Sequence, residues 1–130
     1  MKNFIIILIL LIFSNHAYSK EEVYYCVEKK ATGIEPKENY TTDEYELVNF
    51  TAQIDPIKNT FASEDINMLH DNICMRMFTQ EHVMQCNNDY GHMFAFNTNN
   101  NDFVFTTVIG ISTKNTGDSL LISYGNCKKF

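Results

Sequence analysis

The chain lacks an excess of positive charge, and this excludes one large class of function. Its 130 residues include ten Lys and Arg against 16 Asp and Glu, which gives a formal net charge of -6. A protein that binds nucleic acid needs a basic surface to replace the counterions of the phosphate backbone. We therefore expect no nucleic-acid partner.

The chain also has few long hydrophobic runs. The single clear one, Phe4–Phe13, has ten residues and follows the positively charged Lys2. As a helix it would rise only about 15 Å, against a bilayer core of about 30 Å. Small residues at Ala17 and Ser19 suit a signal peptidase. We predict a signal peptide over 1–19, cleaved to leave a single domain over 20–130, periplasmic or secreted, with no stable membrane anchor.

Sequence motifs of catalysis are missing as well. The chain contains no H-E-x-x-H, no G-x-S-x-G and no Gly-rich phosphate loop. Acidic residues are numerous, but their separation in sequence does not establish the few ångströms that general acid and base catalysis requires. We therefore expect no enzymatic activity and no cofactor.

The cysteines lack the C-x-x-C spacing that is typical of a zinc site. Four of them, Cys26, Cys74, Cys86 and Cys127, follow the predicted signal peptide. In an oxidising compartment an even number of cysteines indicates disulfides, and four allow three pairings. We favour Cys26 with Cys127, which would join the opening and closing strands, and Cys74 with Cys86, which would link neighbouring segments.

Residues with high strand propensity recur along the exported part of the chain. From residue 74 onward, five such runs are separated by short polar turns, and two earlier runs have the same character. This spacing predicts an all-β domain, an antiparallel meander of seven or eight strands in a small barrel or sandwich. The predicted strands are Glu22–Glu28, Tyr45–Ile54, Cys74–Phe78, His82–Cys86, His92–Phe96, Phe103–Ile109 and Ser119–Tyr124.

The segment 63–73 fits two interpretations. Ile66, Leu69 and Ile73 have helical spacing, and Ser63 could cap a helix N-terminus. The pattern therefore allows one short helix near 64–72, but strand remains an alternative.

Methionine and histidine are concentrated in one window. Thioether and imidazole groups are ligands for copper, which makes a periplasmic copper site one alternative function. Methionines in strands more commonly fill irregular core space, however, so we assign no metal ligands. The residues of this window are Met68, His70, Met75, Met77, His82, Met84, His92 and Met93.

Aromatic residues favour binding as the general class of function. Tyrosines combine an apolar ring with a polar hydroxyl and are common in recognition surfaces, although most could equally pack a small β core. We expect a non-enzymatic binding or structural protein with a protein or glycan partner that the sequence does not identify. The tyrosines after the signal peptide are Tyr24, Tyr25, Tyr40, Tyr45, Tyr90 and Tyr124.

Four blocks of sequence, Val23–Cys26, Gly33–Tyr40, Phe50–Asp55 and Ser123–Phe130, carry a resemblance. In these blocks and their spacing the chain resembles a group of small, uncharacterised exported proteins of marine alphaproteobacteria. This resemblance implies export and implies no activity.

The two ends of the exported chain also resemble periplasmic lysozyme inhibitors of the small β-barrel type. Tyr24-Tyr25-Cys26 and Asn126-Cys127 match the opening and closing strands that a disulfide joins in that family. The inhibitory Ser-Gly-x-x-Tyr loop of the family has no counterpart in this chain. The likeness implies a similar fold and, as a further alternative function, inhibition of a cell-wall hydrolase, since an acidic protein suits a basic lysozyme.

Overall fold

A computed structural model describes residues 21–35, 41–69, 72–108 and 120–130 of the chain. Within these ranges the protein forms nine strands of a single antiparallel sheet and no helix. The strands are β1 (Glu22–Glu35), β2 (Thr41–Glu44), β3 (Asn49–Asp55), β4 (Thr60–Ala62), β5 (Ile73–Met77), β6 (Gln80–Asn87), β7 (His92–Asn97), β8 (Asp102–Thr107) and β9 (Leu120–Lys129).

The sheet is an up-and-down meander that curls into a nearly closed barrel. Its strand order is β4-β3-β1-β9-β8-β7-β6-β5, and β2 also pairs with β1. Because β2 and β3 pair with successive stretches of β1, they act as one interrupted strand, and the barrel therefore has eight strand positions around its circumference. Pairing of β1 with β9 joins the first and last strands of the chain, so that the ends of the sheet path are β4 and β5. The predicted all-β meander is confirmed, and it forms a small barrel.

The barrel has a seam between β4 and β5, where side chains take the place of a backbone ladder. The amide nitrogen of Asn72 donates a hydrogen bond to the carbonyl oxygen of Phe61 at 3.0 Å. The Arg76 guanidinium donates to the carbonyl oxygen of Pro56 in the turn before β4. These contacts partly cover two strand edges that would otherwise offer unpaired backbone groups to other chains.

Alternating side chains build an aromatic core inside the barrel. In β7, Phe94 and Phe96 point inward and are fully buried, whereas the residues between and beside them are partly exposed. The ring centroids of Phe61 and Phe94 are 4.0 Å apart, and those of Phe94 and Phe103 are 5.5 Å apart. Phe50 meets the same cluster edge-on. This core fills the barrel interior around Phe94.

Both predicted disulfides are present. Cys26 and Cys127 lie directly opposite each other on β1 and β9, with their Cα atoms 3.9 Å apart. Cys74 and Cys86 are opposed in the same way on β5 and β6, at 4.0 Å. Two disulfides are consistent with an oxidising compartment.

The segment 63–73 is not a helix in its described part, which omits residues 70 and 71. Ser63 forms an isolated bridge with Met68 around a tight turn, and each donates its backbone N–H to the other's carbonyl. Ile66 and Met68 are buried, but Leu69 is exposed, so the expected helical face does not exist. Helical spacing was misleading here because a turn that folds back on itself also buries residues at short intervals.

The strand boundaries differ from expectation in two places. β1 continues through Ala31–Glu35, beyond the predicted end of the first strand at Glu28. Val48 belongs to the predicted strand Tyr45–Ile54, but it is exposed because it lies in the segment between β2 and β3. The predicted signal peptide over 1–19, together with Ile109 and Ser119, lies outside the described residues. The described ranges contain no helix that is long and apolar enough to span a membrane.

Candidate ligand-binding cup

One end of the barrel, which we call the mouth, carries an open cavity. At this end β1, β6 and β8 finish and β7 and β9 begin, so that His92, Thr107 and Leu121 lie side by side. The aromatic core fills the opposite part of the barrel, and small or polar inward-facing residues leave space near the mouth. The cavity therefore results from the side-chain sizes at the ends of the inner faces.

A β-bulge in β1 shapes the wall of the cavity. Tyr24, Cys26 and Glu28 face inward at alternate positions, and the register with β9 then shifts between Glu28 and Lys30. Beyond the bulge the inward positions pass to Ala31 and the glycine that follows it at 33. Because a bulge adds one residue to one strand, it changes which residues face the interior. Alternation along β1 therefore places Glu28 on the inner face of the barrel, and the bulge that follows places Ala31 there as well.

Glu28 is a buried acid in this wall, with only 5% of its surface exposed. The Ser123 hydroxyl donates a hydrogen bond to Oε1, and the Val48 backbone N–H donates to Oε2 at 2.8 Å. In return the Glu28 N–H donates to the Val48 carbonyl oxygen at 3.3 Å. Through these bonds one side chain connects β9 with the segment between β2 and β3. Among the described residues no Lys or Arg forms an ion pair with it.

We call this cavity the cup. Its volume is about 280 Å³, just below the usual range for small-molecule sites, so it suits a small ligand or one side chain of a partner. Its floor and walls are mostly apolar, and its rim carries Tyr45, Glu46 and Asp65. The wall residues that matter most here are Glu28, Ala31, Ile66, His92, Phe105 and Leu121.

His92 contributes an imidazole to the cup wall. Its ring lies against Phe105, with centroids 5.8 Å apart. The Asn88 amide nitrogen is 3.3 Å from Nδ1, and the His92 backbone N–H donates to the Asn88 Oδ1 at 3.0 Å. If the Asn88 amide donates to Nδ1, the proton of the neutral ring is on Nε2. Asn88 therefore fixes the orientation of the ring.

The tight turn at 63–68 forms one side of the cup and is anchored to β3. The Thr51 backbone N–H and hydroxyl both donate to the Asp65 carboxylate, at 2.7 and 3.0 Å. These two bonds hold the pKa of Asp65 below its usual value, so it is ionised at neutral pH. The Asn88 amide also donates to the Asn67 carbonyl oxygen, which links this turn to the segment before β7 at the mouth of the barrel.

The Met/His window does not assemble a site in the described part of the chain. Met68 and Met84 are fully buried, and Met75 is exposed on the outer face. His82 lies near the start of β6, at the end of the barrel opposite to His92. No group of three or more His, Cys, Asp or Glu among the described residues is arranged to hold a metal ion. His70 lies outside the described residues.

The tyrosines are dispersed instead of forming one recognition surface. Tyr24 is buried and donates to Glu22 Oε2 at 2.9 Å. Tyr25 and Tyr124 lie on the outer face, Tyr45 is at the cup rim, and Tyr90 is exposed near the mouth; Tyr40 is not among the described residues. Of the tyrosines that the structure describes, only Tyr45 lines the cup.

The residues that define the cup were not recognised as functional from the sequence. Glu28 was treated as the end of a strand, although Tyr24, Cys26 and Glu28 alternate and so share one face. Ser123 lies between two exposed residues of β9, and Phe105 lies two positions after the inward-facing Phe103 in β8. Alternation could have placed all three on the inner face, but no local pattern showed that they meet.

Comparison of the chain with protein-family models, with curated proteins and with solved structures found no match.

Proposed function

We propose that this chain is an exported, non-enzymatic binding protein that takes its ligand in the cup. The observation that supports the proposal is an open cavity of about 280 Å³ at the mouth of a barrel whose remaining interior is filled by the hydrophobic core. A rigid scaffold with a preformed concave site is a common arrangement for ligand binding. The two disulfides hold the scaffold and accord with export.

The cup can be tested with a matched pair of variants. A library of small ligands is screened by two-dimensional NMR, and binding should move the backbone signals of Phe105, Leu121 and Ser123. Ala31→Leu fills the cup and should abolish the effect, whereas Ala95→Leu, a similar change on the outer side of β7, should leave it intact. A ligand whose binding survives Ala31→Leu, or a screen that never perturbs the cup, would contradict the proposal.

Export has its own test. Protein recovered after expression with its native N-terminus is measured by mass spectrometry under denaturing conditions. We expect a chain that begins at Lys20 and lacks four hydrogens, one pair for each disulfide. An intact Met1, or free thiols, would argue against export.

Inhibition of a cell-wall hydrolase is the second candidate. The disulfide between the opening and closing strands agrees with the resemblance to periplasmic lysozyme inhibitors, and the net charge of -6 suits a basic enzyme. Lysozyme activity is measured with the purified protein in stoichiometric excess. Loss of activity supports this candidate, and undiminished activity removes it while leaving the cup proposal standing.

A further inference from the structure

The cup contains a buried acid with no cationic partner among the residues described. Within the described part of the chain, Glu28 accepts hydrogen bonds only from a hydroxyl and a backbone N–H, both of which are neutral donors. Of the described residues that line the cup, none is Lys or Arg, and His92 is the single basic side chain. Burial of a charge costs free energy unless an opposite charge or strong hydrogen bonds offset it. A cation entering the cup would supply this offset.

The remaining walls specify the rest of the ligand. Ala31, Ile66, Phe105 and Leu121 provide an apolar surface that suits a short aliphatic stem. At the rim the carboxylates of Glu46 and the ionised Asp65 add negative potential, which attracts cations toward the opening. The cup therefore combines an apolar wall with an acidic interior and an acidic rim.

We infer that the cup binds an alkylammonium or alkylguanidinium group, with the stem against Phe105 and Leu121 and the cationic nitrogen directed toward Glu28. This inference rests on the proposed function, because it names the ligand class of the same cavity. A free small amine and a Lys or Arg side chain of a partner protein carry the same chemistry. The cup volume admits either one.

The test compares three probes of similar size on the wild-type protein. n-Butylammonium, n-butanol and butyrate are titrated separately, and the NMR signals of Phe105, Leu121 and Ser123 are followed. We expect n-butylammonium to bind at least tenfold more tightly than n-butanol, and butyrate not to bind in the cup. Because all three comparisons use the unaltered chain, they do not depend on the folding of a variant.

Two carboxamide variants then locate the charge. Glu28→Gln keeps the size of the side chain and a carbonyl acceptor, and it should weaken n-butylammonium binding at least tenfold. Glu21→Gln removes one charge from an exposed position and should change the affinity less than twofold. Spectra of each variant establish that it is folded. Equal losses in the two variants would overturn the role of Glu28.

The outcomes separate this inference from the proposed function. If n-butanol binds in the cup as tightly as n-butylammonium, the cationic ligand class is wrong and the cup remains a binding site. If neither these probes nor the ligand library perturbs the cup, the proposed function fails as well. A tripeptide with an acetylated N-terminus, an amidated C-terminus and a central Lys distinguishes the sources: tighter binding than n-butylammonium assigns the group to a partner protein, and equal or weaker binding assigns it to a free amine.

Discussion

The two disulfides close chain loops of very different length, and this predicts unequal contributions to stability. The cysteines are separated by 101 residues in Cys26–Cys127 and by 12 in Cys74–Cys86. In the loop-entropy model a cross-link restricts the denatured chain, by about 4.7 kcal/mol for the long loop and about 3 kcal/mol for the short one. We expect removal of Cys26–Cys127 to lower the free energy of unfolding by about 2 kcal/mol more than removal of Cys74–Cys86.

The comparison uses the double variants Cys26→Ala/Cys127→Ala and Cys74→Ala/Cys86→Ala. Each removes the two sulfur atoms of one disulfide from the barrel, and three of the four cysteine side chains are buried, so the loss of packing is similar in the two variants. Unfolding in urea is followed by circular dichroism and extrapolated to water. Equal losses, or a larger loss from the short loop, would refute the reasoning from loop length.

Three further predictions concern packing, a close strand approach and pH. Phe94→Ala removes the ring at the centre of the aromatic core and should cost about 3 to 5 kcal/mol in urea unfolding, whereas Phe78→Ala, at a position 99% exposed, should cost less than about 0.5 kcal/mol. Similar losses would contradict the packing. Gly125→Ala adds a methyl group only 2.0 Å from a backbone oxygen of β1, so we expect a loss above about 2 kcal/mol, and a wild-type thermal midpoint would argue against this close approach. Burial and the hydrogen bond to Glu22 raise the pKa of Tyr24 to about 12, so its contribution to stability is complete below the ordinary value of 10.0 and is lost as pH rises toward 12. An ultraviolet titration should show one late tyrosine that disappears in Tyr24→Phe, and a single transition near the ordinary value would contradict this.

The sequence predicted the fold well because alternation and turn spacing are local properties. The runs that include Phe94 and Phe103 alternate between core and surface and are joined by short polar turns, which is sufficient to predict an antiparallel meander. The opposition of Cys26 and Cys127 followed from the same topology, since a closing barrel pairs its first and last strands. The strand order and the disulfide pairing could therefore be predicted from the sequence.

The cup was harder to predict from the sequence than the fold, because it depends on two irregularities of the backbone. The bulge after Glu28 changes the inward-facing positions of β1, and the break between β2 and β3 exposes Val48. The meeting of Glu28 with Ser123 joins residues 95 apart in sequence. Periodicity assigns residues to the inner or outer face of a strand, but it does not give their position along the barrel axis. His82 and His92 illustrate this, because they lie at opposite ends of the barrel.

The covalent link between β1 and β9 also determines how the barrel responds to mechanical load. Tension applied at Glu22 and Phe130 enters through neighbouring strands and is carried across Cys26–Cys127, only a few residues from each point of attachment. The chain between the two cysteines stays outside the path of the force. The cup lies within that protected part, so its shape is insulated from pulling on the ends of the sheet for as long as the disulfide is oxidised.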